Sequence, residues 1–448
     1  MIRARHSILA HRRMAGLSLI EMMIALVMAL IVAAGIITVF ESTSSSNKVQ
    51  AQMATLQEEG RFAIHSLRSD LANANGAYCS NTGGNAGLTS SKLYLDALHS
   101  PTMYATANLT DASVAGHFPD NTVSLVDPTG PYSLPSALFM RGYDCGATSA
   151  SCTPVDPSAG TSIPPIGIVI GDRVPGTSVL TTRYLKPGSG WALVPPGSPN
   201  GSYIDLSIPA APTVVLRQLP GEPAPSTFTG TFAMLADCSN AQVYAVAPNG
   251  SGFAVTAANY AMPRDISQGR AAAPRVFDFT NDFQTVTYYV KVVDAGNGYT
   301  TGELVRRVNG TDTPLVRGVE RLNFRYGVIA SDGTTQFLTA DDVDKAKDAT
   351  GTPIPCPPDV SLPGGMPDAG CLWRAVQTIQ VNILMDGQTP LYTLTPAEMN
   401  YIYTPDGDST PEPPTEASRA IQPSLQGFPD QLLRRQFTTV ISLRNFNP

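Results

Sequence analysis

The residues from Leu17 to Phe40 form an apolar run that constrains this chain more than any other feature. At about 1.5 Å per helical residue, the run is long enough to cross the roughly 30 Å hydrocarbon core of a membrane. It holds one carboxylate, Glu21, close to its start. A carboxylate in lipid is costly, so we expect a function for Glu21.

The residues that precede the apolar run indicate its orientation. They contain no acidic residue and four arginines: Arg3, Arg5, Arg12 and Arg13. Positive flanks stay in the cytoplasm, so the chain after Phe40 is expected to be exported. An ordinary secretory signal is cut at small residues after its apolar core. Here the small residue, Gly16, precedes the core, and a cut after it would leave the apolar run on the mature protein.

A basic leader, Gly16, an apolar Leu17 and Glu21 at the fifth position after the glycine resemble the N-terminus of type IV prepilins and type II secretion pseudopilins. The resemblance implies that a prepilin peptidase cuts between Gly16 and Leu17 and methylates the new amino group of Leu17. Most pilins have Phe at the first mature position, and Leu17 departs from that pattern. The alternative is a plain signal anchor that tolerates Glu21 near the membrane interface.

A helical period continues beyond the apolar run. After a polar step, apolar or small residues recur at spacings of three and four: Val49, Met53, Leu56, Gly60, Ala63, Ile64, Leu67 and Leu71. This is the pattern of an amphipathic helix with one buried face. We predict one helix from about Leu19 to Ala74, roughly 84 Å long, with Gly35 and Gly60 as points where it could bend.

The chain therefore divides into four predicted segments. Residues 1–16 are the leader, 17–40 the transmembrane half of the helix, and 41–75 its amphipathic half. Residues 76–448 are expected to form an exported, β-rich globular domain. Longer insertions are expected at about 80–170, 330–372 and 386–430.

Short apolar runs between turn residues predict strands in the exported domain. In its first half they are expected at 137–141, 178–184, 213–219, 231–236 and 242–247. In its second half they are expected at 286–292, 304–308, 311–316, 322–328, 378–383 and 437–443, with Asn309-Gly310 as a hairpin turn. Period-2 alternation predicts an antiparallel sheet with one buried face. The fold class is thus α+β: a long N-terminal helix packed on an antiparallel β-sheet with long looped insertions.

Several patches of the exported domain resemble the PilW-type minor pilins of bacterial type IV pilus systems, which supports a type IV pilin-like fold. On the helix the patch is Leu56-Gln57-Glu58-Glu59-Gly60-Arg61-Phe62-Ala63. In the domain the patches are Gly171-Asp172-Arg173-Val174, Leu235-Ala236-Asp237-Cys238-Ser239, Tyr288-Tyr289-Val290, Leu304-Val305-Arg306-Arg307, Arg317-Gly318-Val319-Glu320-Arg321-Leu322, Tyr326-Gly327 and Ser442-Leu443-Arg444-Asn445.

All six cysteines lie on the exported side, where disulfides form. Six cysteines allow fifteen pairings. Proximity in sequence favours Cys145 with Cys152 and Cys356 with Cys371, because each pair closes a short loop of turn residues. That choice leaves Cys79 to pair with Cys238.

Charge and motifs argue against nucleic-acid binding and catalysis. The chain has 29 basic and 36 acidic residues, and loss of the four leader arginines leaves a net charge of −11. Nonspecific nucleic-acid binding depends on positive charge. No nucleophile elbow, phosphate loop or metalloprotease helix is present. An acidic cluster, Asp341, Asp342, Asp344 and Asp348, lacks calcium-loop spacing. We expect no enzymatic activity, no cofactor and no metal.

The resemblance implies a minor pilin that helps prime assembly of a type IV pilus and is incorporated at or near its tip. It implies as partners other minor pilins, the major pilin, the prepilin peptidase, the inner-membrane assembly platform and a tip-associated adhesin. The protein would first cross the inner membrane once, with its C-terminal domain in the periplasm, and then reach the pilus on the cell surface. Two alternatives stay open: a minor pseudopilin of a type II secretion system, and a tip adhesin or DNA-uptake module.

Overall fold

A computed structural model describes most of the chain after Leu17. The described residues are 18–76, 78, 87–89, 92–94, 101–104, 118–119, 132–160, 163–195, 197–205, 207, 212–236, 241–255, 274–296, 298–330, 332–356 and 368–444. The chain forms two compact units, one that ends at Ala54 and one that begins at Thr55.

The N-terminal helix, α1, runs from Leu19 to Leu71 and passes through Gly35 and Gly60 without interruption. It ends three residues earlier than predicted, because residues 72–75 form turns. The side chain of Asn73 donates to the carbonyl of Ser69 at 2.9 Å and so satisfies one of the last helical carbonyls. Asn75 adopts a left-handed conformation with φ of 60°.

Three short helices and twenty strands follow α1 in the described residues. The helices are α2 (Phe279–Asp282), α3 (Ala340–Asp344) and α4 (Pro396–Met399). The strands of the first half are β1 (Gly87–Thr89), β2 (Lys92–Tyr94), β3 (Thr102–Tyr104), β4 (Tyr132–Ser133), β5 (Met140–Tyr143), β6 (Val179–Leu185), β7 (Trp191–Ala192), β8 (Tyr203–Asp205), β9 (Thr213–Val215), β10 (Phe232–Ala236), β11 (Ala241–Asn249), β12 (Gly252–Val255) and β13 (Arg275–Asp278). Those of the second half are β14 (Phe283–Gly296), β15 (Tyr299–Val308), β16 (Thr311–Arg317), β17 (Val319–Ile329), β18 (Thr335–Leu338), β19 (Thr378–Asp386) and β20 (Arg434–Ser442).

The described strands form four sheets. Besides the β1-β2 pair, a nine-stranded sheet has the order β7-β13-β10-β11-β12-β9-β8, with β3 beside β11 and β4 beside β3. A five-stranded sheet has the order β16-β15-β14-β6-β5, and a four-stranded sheet the order β18-β17-β19-β20. The β3–β11 pair is parallel and every other pair is antiparallel. The predicted α+β class is confirmed.

The buried stripe of α1 joins the five-stranded and four-stranded sheets in one core. The residues that α1 buries are Leu56, Gly60, Ala63, Leu67 and Leu71. The apolar ones pack with alternate side chains of β14, β17 and β19, which the period-2 pattern had predicted to face inward. Trp373 lies fully buried in the same core, and Trp191 in a second core under the nine-stranded sheet.

Local sequence signals predicted one hairpin correctly and one strand wrongly. Val308 pairs with Thr311, and both Asn309 and Gly310 have positive φ, as the turn requires. The predicted strand at 137–141 instead begins at Met140, because Ser136–Leu138 form a 3₁₀ turn. The carboxylate of Asp368 accepts the backbone N–H of Ser136 at 3.0 Å and holds that turn.

The insertion between β19 and β20 packs on part of the second face of the four-stranded sheet, so β17 and β19 are buried on both faces along much of their length. Tyr401 and Tyr403 pack on Leu384 of β19. Arg321 of β17 makes a bidentate ion pair with Asp406 at 2.7 and 2.8 Å. Alternation in the strands alone does not reveal this cover, because the covered side chains are a mixture of polar and apolar residues.

Replacement of Leu67 by Ala is expected to lower the free energy of unfolding by about 2–5 kcal/mol. The side chain is fully buried between the helix and the sheets, so truncation leaves a cavity. Glu58→Ala, at an exposed position of the same helix, should change stability by no more than about 0.5 kcal/mol. Urea unfolding of a fragment that begins near Val49 measures both. Equal effects would mean that Leu67 does not lie under the sheets.

Candidate functional site

Glu21 is held at the first turn of α1 by a capping interaction. One of its carboxylate oxygens accepts the backbone N–H of Ser18 at 3.1 Å. The carbonyl of Ser18 in turn accepts the backbone N–H of Met22 at 3.1 Å, the first hydrogen bond of the helix. A Ser that precedes a helix and a Glu three residues later form the pattern of a capping box. The carboxylate therefore lies at the positive end of the helix dipole.

The residues that follow Glu21 present apolar side chains around the whole circumference of α1. From Leu19 to Phe40 the large apolar side chains are between 54% and 80% exposed. In the part of the chain that the structure describes, α1 is the one helix long and apolar enough to cross a membrane. A helix that is apolar on every side requires an apolar environment on every side, such as lipid or a bundle of similar helices.

Gly16 and Leu17 lie outside the described residues, as do Cys79 and Cys238. The disulfides Cys145–Cys152 and Cys356–Cys371 are present, as predicted.

Gly60 allows α1 to lie directly on the last strand of the chain. A Cβ atom added at this glycine would lie 2.4–2.7 Å from three ring atoms of Phe437 in β20. Gly60 is therefore a contact site where the helix and the strand approach closely, in an uninterrupted part of the helix. A glycine inside a helical pattern indicates such an approach, but it does not identify the partner.

Asp70 fixes the C-terminal end of α1 to the five-stranded sheet. It accepts a hydrogen bond from Tyr288 of β14 at 2.6 Å and forms an ion pair with Arg306 of β15. Burial, reinforced by the carboxylate of Asp70, raises the pKa of Tyr288 far above its ordinary value. The tyrosine hence stays protonated and donates to Asp70.

A buried polar cluster joins β17, β19 and β20. Arg434 donates to Glu320 at 2.7 Å, and both side chains are almost completely buried. Asp386, at the end of β19, accepts the backbone N–H of Gln388 at 2.7 Å. Burial, together with the nearby negative charge of Glu320, raises the pKa of Asp386 to about 7. No local sequence pattern indicates this cluster, because its members are far apart in the chain.

The raised pKa of Asp386 predicts a pH dependence of stability. Since an unperturbed aspartate titrates near pH 3.9, the folded protein binds more protons than the unfolded chain between about pH 4 and pH 7. The contribution of Asp386 to the free energy of unfolding should therefore fall as pH rises through this range, by up to about 1.4 kcal/mol per pH unit. Asp386→Asn should remove this slope. Urea unfolding at a series of pH values compares the two proteins, and parallel curves would contradict the prediction.

Acidic side chains of the cluster near α3 form hydrogen bonds and ion pairs within the chain. Thr339 and Asp342 form a capping box at the start of α3, and Asp341 makes an ion pair with Lys345 at 2.7 Å. Asp344 makes an ion pair with Arg141 at 3.0 Å. Among the described residues, no three His, Cys, Asp or Glu side chains are grouped as metal ligands.

The first unit consists of an exposed apolar helix with a capped Glu21, and α1 continues from it as the core helix of a β-rich unit. These features fit a membrane-anchored protein of the pilin type. The family of type IV pilus-assembly protein W, PilW, matches residues 287–445. The prokaryotic N-terminal methylation motif matches residues 11–37.

The two matches bear out the resemblance to PilW-type pilins, and they point to a structural protein of a type IV pilus system. The PilW match begins in β14 and extends past the end of β20, so it includes strands that pack on α1. No curated protein and no solved structure matches the chain.

Proposed function

We propose that this protein is a minor pilin that helps to prime assembly of a type IV pilus and is incorporated at or near the pilus tip. The exposed apolar helix with Glu21 in its first turn is the observation that carries the proposal. Such a helix is stable in the inner membrane before assembly and among other pilin helices after it.

Processing supplies the partner for Glu21. A prepilin peptidase cuts between Gly16 and Leu17 and methylates Leu17, which places a positive amino group at the start of the mature helix. Glu21 then pairs with the amino group of a neighbouring subunit, and this pairing offsets the cost of a carboxylate in an apolar bundle. The amino group replaces the contact that Ser18 provides in the isolated chain.

The size of the globular unit favours a rare position at the tip. A nine-stranded sheet and the insertion between β19 and β20 are additions to the two sheets that pack on α1. Subunits in the body of a filament are surrounded by copies of themselves, and such additions would crowd them. A subunit at the end of the filament has one free side.

The implied route has two stages. The protein first spans the inner membrane once, with residues after Phe40 in the periplasm, where the assembly platform and the other minor pilins meet it. It then enters the filament ahead of the major pilin and reaches the cell surface, where a tip-associated adhesin is a further partner.

Deletion of the gene tests the proposal against its alternatives. We expect fewer surface pili with an unchanged pool of major pilin, because initiation is lost and supply is not. Disabling retraction should then restore part of the pili. Sheared surface pilin and total pilin measure both effects.

Normal piliation with a loss of secreted enzymes would instead indicate a type II secretion pseudopilin. Normal piliation and secretion with lost adhesion or DNA uptake would indicate a tip module.

A further inference from the structure

Strand β20 differs from the other edge strands of the described sheets in its length and composition. It is nine residues long, pairs with β19 on one side, and contains neither proline nor an acidic residue. The other long edge, β16, carries Asp312 and Pro314, and the remaining edge strands have four residues or fewer. Charged residues, prolines and short lengths are the devices that protect sheet edges from pairing with other chains. In β20 neither a short length nor a proline protects the edge, and its charged residues are all positive.

The hydrogen bonds at the two ends of β20 show which residues face away from β19. The carbonyl of Leu433 accepts the N–H of Gly387 at 3.0 Å, and the N–H of Leu443 donates to Gln377 at 2.9 Å. In an antiparallel pair, backbone groups point alternately toward the partner and away from it. Odd-numbered residues of this strand thus face β19. The N–H and C=O groups of Thr438, Val440 and Ser442 point outward.

The outward groups are open within the described part of the chain. The three residues are exposed, and no hydrogen bond to their backbone N–H or C=O groups is formed by the described residues. Arg444, two residues further, confirms the alternation, because its N–H donates to Ala72 at the end of α1 and not to β19. An extended peptide could pair with this edge over five residues.

Positive charge surrounds the open edge. Three exposed arginines near it are Arg61, Arg68 and Arg444. Arg61 follows Glu59 by two residues, and Arg68 precedes Asp70 by two residues. Both acidic side chains face the flank of α1 that lies away from β20, where Glu59 contacts Gln388 and Asp70 contacts Tyr288. Two residues correspond to about 200° around a helix, so both arginines lie on the β20 flank.

We propose that the open edge of β20 binds an extended acidic segment of a neighbouring pilin subunit by β-strand addition. The proposal rests on the proposed function, since it assigns a contact within the assembling tip. Main-chain hydrogen bonds to Thr438, Val440 and Ser442 supply affinity, and the arginines select for acidic residues. A second copy of this chain is a poor occupant, because two β20 edges would bring arginines together without an acid in either strand.

The decisive variant removes one outward N–H and little else. Val440→Pro deletes a donor that has no partner within the described chain, at a side chain that is 51% exposed. Val440→Thr is the matched control, because it changes the side chain and keeps the N–H. Full-length protein, co-expressed with the other minor pilins and extracted in detergent, should co-purify them about tenfold less well in the proline variant. The threonine variant should behave as wild type.

Charge reversal tests the selection for an acidic segment. Arg68→Glu with Arg444→Glu should also lower co-purification by about tenfold or more, whereas Lys347→Glu on another exposed loop should not. Amide hydrogen exchange of the wild-type complex provides a readout that does not depend on any variant. The amides of Thr438, Val440 and Ser442 should exchange at least about tenfold more slowly in the complex than in the isolated protein.

The outcomes separate this inference from the function on which it rests. Unchanged exchange at the three amides, or wild-type co-purification of Val440→Pro, would overturn strand addition. If strand addition is overturned but gene deletion still causes a loss of pili, the priming function remains supported without strand addition. If the proline variant fails to accumulate, the exchange experiment decides alone. Protected amides in a complex with secretion pseudopilins would keep strand addition and overturn the pilus assignment.

Discussion

Replacement of Glu21 by Ala is expected to abolish incorporation into the priming complex while leaving cleavage of the leader intact. In the proposed mechanism, assembly needs a negative charge at this position, because the carboxylate would neutralise the amino group of a neighbouring subunit inside an apolar helix bundle. Cleavage is expected to need only Gly16 and the apolar segment. Surface pili should fall to the level of the deletion strain, as measured by sheared pilin and by co-purification of the other minor pilins.

Glu21→Gln separates the two interactions that the carboxylate can make. Glutamine at the third helical position can still accept the N–H of Ser18, so the cap is retained. It carries no charge, so the ion pair with a neighbouring amino group is lost. We expect Glu21→Gln to fail in assembly like Glu21→Ala. Normal piliation with glutamine would mean that capping of the helix, and not charge pairing, is the role of this residue.

Gly16→Glu provides the opposite pattern. A bulky charged residue next to the scissile bond should block the peptidase, so the full precursor should accumulate in the inner membrane. N-terminal sequencing of the wild-type mature protein should begin at Leu17. A different first residue, or normal cleavage of Gly16→Glu, would contradict the prepilin interpretation.

The sequence predicted the elements whose signals are local. The helical stripe from Leu56 to Leu71, the hairpin at Asn309-Gly310 and the short-range disulfides each depend on residues within one element or one loop. In such cases spacing and turn chemistry determine the outcome. The Ser18–Glu21 cap was not predicted, although its pattern is visible in four residues.

The sequence could not predict contacts between distant segments. Gly60 contacts Phe437, and Asp70 binds Arg306, across hundreds of residues. Nothing in the neighbourhood of either residue identifies its partner. The packing of the β19–β20 insertion on the four-stranded sheet was not predicted for the same reason. The sequence of this insertion, which contains Tyr401 and Tyr403, is typical of a loop, and its packing depends on tertiary contacts.

Removal of the guanidinium of Arg434 is expected to destabilise the globular unit strongly. The side chain donates to Glu320 and also to the carbonyls of Pro429, Asp430 and Leu432, at distances from 2.7 to 3.3 Å. It therefore ties the end of the insertion to β17. In Arg434→Met these acceptors stay buried without their donor, next to Asp386.

Arg434→Met should lower the free energy of unfolding by about 3–5 kcal/mol, because the charge of Glu320 is left buried and unpaired. The double variant Glu320→Leu with Arg434→Met should regain a large part of that loss, since replacing both members of a buried pair by apolar residues is often close to neutral. Lys345→Met, which breaks the exposed pair with Asp341, is the matched control and should change stability little, because exposed ion pairs are screened by solvent.

Urea unfolding of the wild type, Glu320→Leu, Arg434→Met and the double variant gives the coupling energy between Glu320 and Arg434 directly. A double variant that is as unstable as the sum of the single ones would show that the carbonyl contacts of Arg434, and not the ion pair, hold the insertion in place. The buried polar cluster holds both ends of the insertion, because Asp386 precedes the insertion and Arg434 follows it. Arg434→Met should therefore also expose the second face of the four-stranded sheet, and limited proteolysis within residues 387–433 should detect this before the sheet itself unfolds.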